Sequence, residues 1–312
     1  MDIVAILTVA IQHACPILLV AMGGLLAVRS NVFNLALEAF MLIGCFASIV
    51  GAYFFNNVWL GVLTGVVAST VLIMIYAVFI IEFHVQPIIC AISIITLVSG
   101  LTRYLLNPIF GVSGRYVLSP ALAMPTIKMA WLDNIPFIGQ IFNNHSILVY
   151  FSLLVPFVIG YILKYTKYGL DLRAVGLNAE AAISAGISVK KIQYSALFIN
   201  GVLCGLGGAQ LALSVYMFNV NMTNGRGYTA LAAIILSNSA PLICLLACLL
   251  FGLAEALVIA LSTLGISSYL LGMLPYVMAL VAALLPQTIG IIKGNITKRK
   301  SAKEVLSNYY RK

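Results

Sequence analysis

The chain has 312 residues, 62% of them hydrophobic and only 8% charged, with a formal net charge of +9. Surfaces of water-soluble domains carry about a quarter charged residues, so a soluble enzyme or binding module is excluded and the chain reads as one polytopic, all-α membrane domain. The positive balance is local: five basic residues lie between Lys164 and Lys191 and seven between Lys293 and Lys312, a clustering beside spans that marks a cytoplasmic face and needs no nucleic-acid partner.

Apolar runs near the roughly 20 residues a bilayer requires occur at 3–28, 34–55, 58–81, 88–106, 146–165, 192–216, 241–262 and 269–292. Asp2 and the lack of a basic leader make the first run a retained span rather than a cleaved signal. It ends in a polar break, Arg29-Ser-Asn-Val-Phe-Asn, and Glu38 stands inside the second run one turn past Asn34. A buried carboxylate in lipid is costly and usually functional; here it either meets a solute or bonds backbone groups exposed by the helix break. Glu82 and His84, two apart at the end of the third run, read as an interfacial pair. The segment 107–145 carries Pro108, Pro120, Pro125 and Pro136, a Gly-Val-Ser-Gly turn at 111–114 and Trp131. A loop of that length is uncommon unless it does something.

The central interval 166–191 is the longest polar-and-small stretch before the tail. Asn178 is a good N-cap, Glu180 suits the positive end of a helix, and Gly186 can supply a left-handed terminating residue. A short helix from Asn178 to Gly186 follows, too short to be stable unless something holds it. The run 192–216 places Gly201, Gly205 and Gly208 on one helical face, where small residues permit close helix approach. Asn200 and Gln210 flank that face and need partners, either protein or a polar solute. After a second polar break, Thr223-Asn-Gly-Arg-Gly-Tyr, comes a short apolar piece, Tyr228 to Leu236. Central interval and tail share a face, so an even number of crossings separates them and this piece counts as one, a broken or re-entrant segment. Nine crossings result, with the N-terminus outside, the C-terminus cytoplasmic and 107–145 external. The two polar breaks then lie on opposite sides of the membrane, as an inverted repeat requires.

Glu255 is a second carboxylate inside an apolar run. The six cysteines (Cys15, Cys45, Cys90, Cys204, Cys244 and Cys248) all fall in apolar segments and read as small packing residues. His13, His84 and His145 lie in separate segments, and the chain contains neither a His-Glu-x-x-His motif nor a Gly-x-x-x-x-Gly-Lys-Ser/Thr phosphate loop. No cofactor bound by this chain is expected, and catalysis is not.

The order Arg-Ala-Val-Gly-x-Asn-x-x-Ala-Ala-x-x-x-Gly-Ile in the central interval closely resembles the coupling loop of importer permeases of the ATP-binding-cassette (ABC) class, in the nucleoside and simple-sugar subgroup. Asn31-Val-Phe-Asn-Leu-Ala-Leu-Glu, Gly-Arg-Gly-Tyr-Thr-Ala-Leu-Ala-Ala-Ile-Ile and Phe-Gly-Leu-Ala-Glu-Ala also match that subgroup, so the resemblance covers most of 31–262. Ala39 and Ser237-Asn238 stand where family members often have glycine. The resemblance implies a permease domain over 1–292 with a basic tail at 293–312, in a bacterial inner membrane. It also implies a separate ATPase subunit that uses the ATP, a second permease subunit forming a homo- or heterodimer, and an external binding lipoprotein or periplasmic protein that docks on 107–145. Asn178, Glu180, Ala182 and Gly186 are then the expected ATPase contacts, and Asn34, Glu38, Asn200, Tyr228 and Thr229 the expected solute path. The expected solute is a nucleoside or related small polar molecule. The alternatives are a ribose-like sugar, riboflavin, or a proton-coupled carrier using Glu38 or Glu255.

Overall fold

The computed structural model describes residues 3–128 and 138–262, with 273, 274, 277 and 278. The run at 269–292, apart from those four residues, and the tail lie outside this range, as do Trp131 and Pro136. The helices are α1 (Ile3–Arg29), α2 (Leu37–Phe55), α3 (Val58–Ile81), α4 (Pro87–Phe110), α5 (Ile138–Phe142), α6 (Ile147–Tyr165), α7 (Lys167–Leu177), α8 (Ala179–Ser184), α9 (Val189–Ser214), α10 (Arg226–Leu236) and α11 (Pro241–Ser262). Seven of them, α1, α2, α3, α4, α6, α9 and α11, are long and apolar enough to cross a membrane, and α10 is the short apolar helix. Continuous helix is what such runs must form, because lipid offers backbone groups no partner.

Local sequence sets the helix ends. Asn56, left-handed at φ 48°, closes α2, and the Asn57 side chain accepts from the amides of Trp59 (2.9 Å) and Leu60 (3.4 Å) to open α3. α4 runs on through Pro108 to Phe110, so the loop predicted from 107 begins at Gly111. In the last turn of a helix the missing proline N–H costs a single bond.

α9 forms the axis, with 78% of its most apolar window buried against 28% for α4 at the periphery. Its glycine face makes this possible, and the neighbours belong to the same chain. Gly201 meets Thr70 and Ile73 of α3, Gly205 meets Val66, and Gly208 lies on the Met41 and Cys45 backbone of α2. Gly207 faces Pro16 while Gly23 faces Asn200, so α1 and α9 run antiparallel. Leucine at Gly208 must push two backbones apart, and overpacking costs about 1–3 kcal/mol even where side chains alone can yield. Gly208→Leu is expected to remove most monodisperse protein from a size-exclusion profile, while Gly160→Leu, where a Cβ meets nothing within 4 Å, leaves it unchanged.

The two ends of the bundle differ. At one end lie α7, α8, the start of α9 and the end of α3, where Lys190 donates to Glu82 at 2.7 Å. That hydrogen bond holds the Glu82 carboxyl below the usual carboxylate range. At the far end β1 (Arg115–Val117) pairs antiparallel with β4 (Met217–Asn219), and β2 (Thr126–Ile127) with β3 (His145–Ser146). The Met124 amide also donates to the Leu213 carbonyl at 3.0 Å. The long loop is therefore strapped onto the far end through its backbone.

Each of the two polar breaks follows a long helix and precedes a shorter one. A long helix (α1, 27 residues; α9, 26 residues) ends, a non-helical stretch turns back into the bundle, and a shorter helix (α2 or α10) begins inside it. Because α1 and α9 are antiparallel, the first break sits at the α7–α8 end, where Gln193 donates to the Ser30 carbonyl at 3.3 Å. The second follows the far end of α9.

Candidate functional site

The N-termini of α2 and α10 meet at Glu38, which is 8% exposed. Its Oε1 accepts from Thr223 Oγ1 at 2.6 Å and the Gly225 amide at 2.9 Å, and its Oε2 from the Gly227 amide at 2.7 Å. The first amides of any helix lack intrahelical partners and carry partial positive charge. α10 has no side-chain cap of its own, since its N-cap is Gly225, so Glu38 serves from 187 residues away. Gly225, at φ 83°, turns the chain into the helix through a conformation open to glycine. Gly227 lets α10 lie directly on Glu38, because a Cβ there falls against the Glu38 backbone and carboxylate.

A second anchor holds the same turn. Arg226 donates to Glu255 Oε2 from Nε (3.0 Å) and Nη2 (2.6 Å), and to the Met222 carbonyl from Nη1 (3.2 Å). His13 Nδ1 lies 3.0 Å from the same carboxylate oxygen. α10 is thus tied at one end to α2 by Glu38, and to α11 and α1 through Glu255 and His13. Its other end is held by Arg29, whose Nε and Nη2 donate to the Ser239 carbonyl at 3.1 and 2.8 Å.

The other expected path residues divide. Asn34 and Asn200 are buried; Asn34 Oδ1 accepts the Ala36 amide at 2.9 Å, and Asn200 Oδ1 accepts the Cys204 thiol at 3.1 Å. Both Nδ2 groups lack a partner among the described residues. Thr229 is turned inward, donating to the Arg226 carbonyl of its own helix at 2.9 Å. Phe33, in the first break, is 42% exposed, and Tyr228, just after the second, is 43% exposed. Arg226 and His13 were not among the expected site residues. The sequence carries a signal for the pair, since an arginine inside a membrane segment demands a carboxylate and Glu255 is the other acidic residue within an apolar run.

At the other candidate surface, α8 forms where expected. Asn178 Oδ1 accepts the Ala181 amide at 3.1 Å. Gly186, at φ 80°, ends the helix with Gly186 N–H to the Ile183 carbonyl and Ile187 N–H to the Ala182 carbonyl, both 2.9 Å. Only Ala182 is buried, while Glu180 is exposed between Leu177, 89% exposed, and Ile183, 62% exposed.

A family model described as "Branched-chain amino acid transport system / permease component" matches residues 5–283. The chain is 33% identical to the guanosine ABC transporter permease protein NupQ of Bacillus subtilis, over 90% of this chain and 93% of that one. It is 30% identical to the nucleoside ABC transporter permease protein NupC of Lactococcus lactis (86% and 88%) and 30% identical to the putative glucose ABC transporter permease protein TsgC13 of Haloferax volcanii (81% and 76%). No solved structure shows significant similarity to the chain.

Proposed function

Because the chain belongs to the family of branched-chain amino acid transport system permease components, its work is to pass a solute through the membrane, and we propose that it is the membrane-spanning subunit of an ATP-driven importer of nucleosides. The observation that carries the path is the meeting of two helix N-termini at Glu38, inside the bundle. Broken helices are tolerated only where they are buried in protein or line a cavity, and such breaks are where membrane carriers hold their solutes. Glu38 already accepts the Gly225 and Gly227 amides, so the groups left to bind are the Asn34 and Asn200 amide donors, unpartnered among the described residues, with Phe33 and Tyr228 as faces for a flat ring. The choice of a nucleoside follows from the guanosine and nucleoside relatives; a simple sugar is the second reading, supported by the glucose relative.

In this reading the ATP-hydrolysing partner takes α8 through Asn178, Glu180, Ala182 and Gly186. A second permease subunit covers Phe33 and Tyr228, and an external binding protein delivers the solute to the loop within 107–145. The protein lies in the bacterial inner membrane with the N-terminus outside and the C-terminus cytoplasmic. A proton-carrying role for either carboxylate fits poorly, since Glu38 receives three donors and Glu255 is paired with Arg226.

The test is the coupling surface. Glu180→Lys combined with Ala182→Leu in the reconstituted complex is expected to abolish ATP-dependent uptake while the protein still inserts and the partner still hydrolyses ATP. Uptake driven by a proton gradient in vesicles without any ATPase would overturn the proposal.

A further inference from the structure

We infer that Arg29 is the positioning residue through which movement of α7 and α8 reaches α10, an inference that rests on α8 being the surface moved by the ATP-hydrolysing partner. Gly176, next to last in α7, sits on the Arg29 carbonyl: an added Cβ there falls against that oxygen. No side chain stands between the two, so displacement of α7 bears on the end of α1 at once. The Arg29 guanidinium then grips one carbonyl, that of Ser239, with two N–H groups at 3.1 and 2.8 Å.

Ser239 and Asn238 are consecutive non-glycine residues in the left-handed region, at φ 55° and 49°. Such backbone persists only where its surroundings over-determine it, and Arg29 is one of the groups that hold this turn. The turn closes the C-terminal end of α10, an 11-residue rod about 16 Å long, whose N-terminal end carries the Glu38 contact. Gly176, Arg29, Ser239, α10 and Glu38 therefore form an unbroken series of packed and hydrogen-bonded parts, the physical form in which coupling between distant sites is carried.

The junction has room to move. Arg29, Arg173, Gly176, Leu177 and Ser239 line a pocket of about 370 Å³ at the α7–α8 end. Arg173 is a second guanidinium lining that pocket.

The experiment uses the full complex in proteoliposomes, with ATPase subunits, binding protein and guanosine as the probe. Arg29→Gln is expected to leave ATP hydrolysis near wild type and lower guanosine taken up per ATP about tenfold, an ordinary size for a coupling effect. Arg29→Lys, which keeps the charge and one donor, should recover part of that ratio. An unchanged ratio in Arg29→Gln overturns the inference alone, whereas a wild-type complex whose uptake ignores ATP overturns the importer reading beneath it. Should Arg29→Gln fail to assemble, spin labels on the wild-type complex decide. Distances from Ile92 in α4 to Ser184 in α8 and to Ile235 in α10 should change together on ATP addition. A shift of Ser184 without Ile235, or no shift of either, overturns the inference.

Discussion

Glu38→Ala is expected to cut uptake to below a tenth of wild type and to lower the thermal midpoint of the purified protein by many degrees. The mutation removes the acceptor of two backbone amides and the Thr223 hydroxyl in a site with little water to replace it. Each orphaned donor costs about 1–3 kcal/mol, so the sum is a large share of a fold's roughly 5–15 kcal/mol margin. Glu38→Gln separates the roles of charge and shape. Its amide oxygen can take one or two of the donors while its NH₂ faces another N–H, so uptake should fall only in part and gain no new pH dependence. Abolished accumulation with intact exchange in Glu38→Gln would instead identify a proton carrier. A wild-type midpoint in Glu38→Ala would overturn the role of Glu38 as the cap of α10.

Glu255→Ala is expected to destabilise the protein by about 3–5 kcal/mol, the cost of leaving one partner of a buried ion pair uncompensated. Arg226 and Glu255 side chains are each 15% exposed, so water replaces little of what is lost. Replacing both, as Arg226→Met with Glu255→Leu, should recover much of the stability, because two apolar groups leave no charge stranded. Thermal unfolding of the wild type, both singles and the double closes the cycle, and simple additivity would mean that the pair is not coupled. Uptake should remain low in the double variant, since α10 has lost its tie to α11 even where the fold has recovered.

The comparison between sequence and structure is clearest at Glu38. One reading of the sequence had it bonding backbone groups freed by the break beside it, at Asn34. The structure has it bonding backbone groups of the other break, at Thr223, Gly225 and Gly227. Asn34 provides for its own break by accepting the Ala36 amide. Nothing in the spacing of residues 31–38 selects a partner some 187 positions on. Thr229, expected on the solute path, donates its hydroxyl to the Arg226 carbonyl of its own helix, a local bond that the spacing of residues 226–229 does not reveal.

The sequence by itself determined the membrane class, the seven long apolar helices among the described residues, the short helix at 226–236 and the capped helix at 179–184. Those features depend on continuous apolarity, on backbone groups that lipid cannot satisfy, and on caps made within a few residues. Tertiary structure alone decided which charges meet: Glu38 with the start of α10, Arg226 with Glu255 and His13, and Arg29 with Ser239. A buried charge is bound to have a partner, but which one depends on the helices that close packing brings together. That packing is set by glycines such as Gly207 and Gly208 touching backbones far away in the chain. Local pattern encodes that an anchor is needed, and the fold supplies its other end.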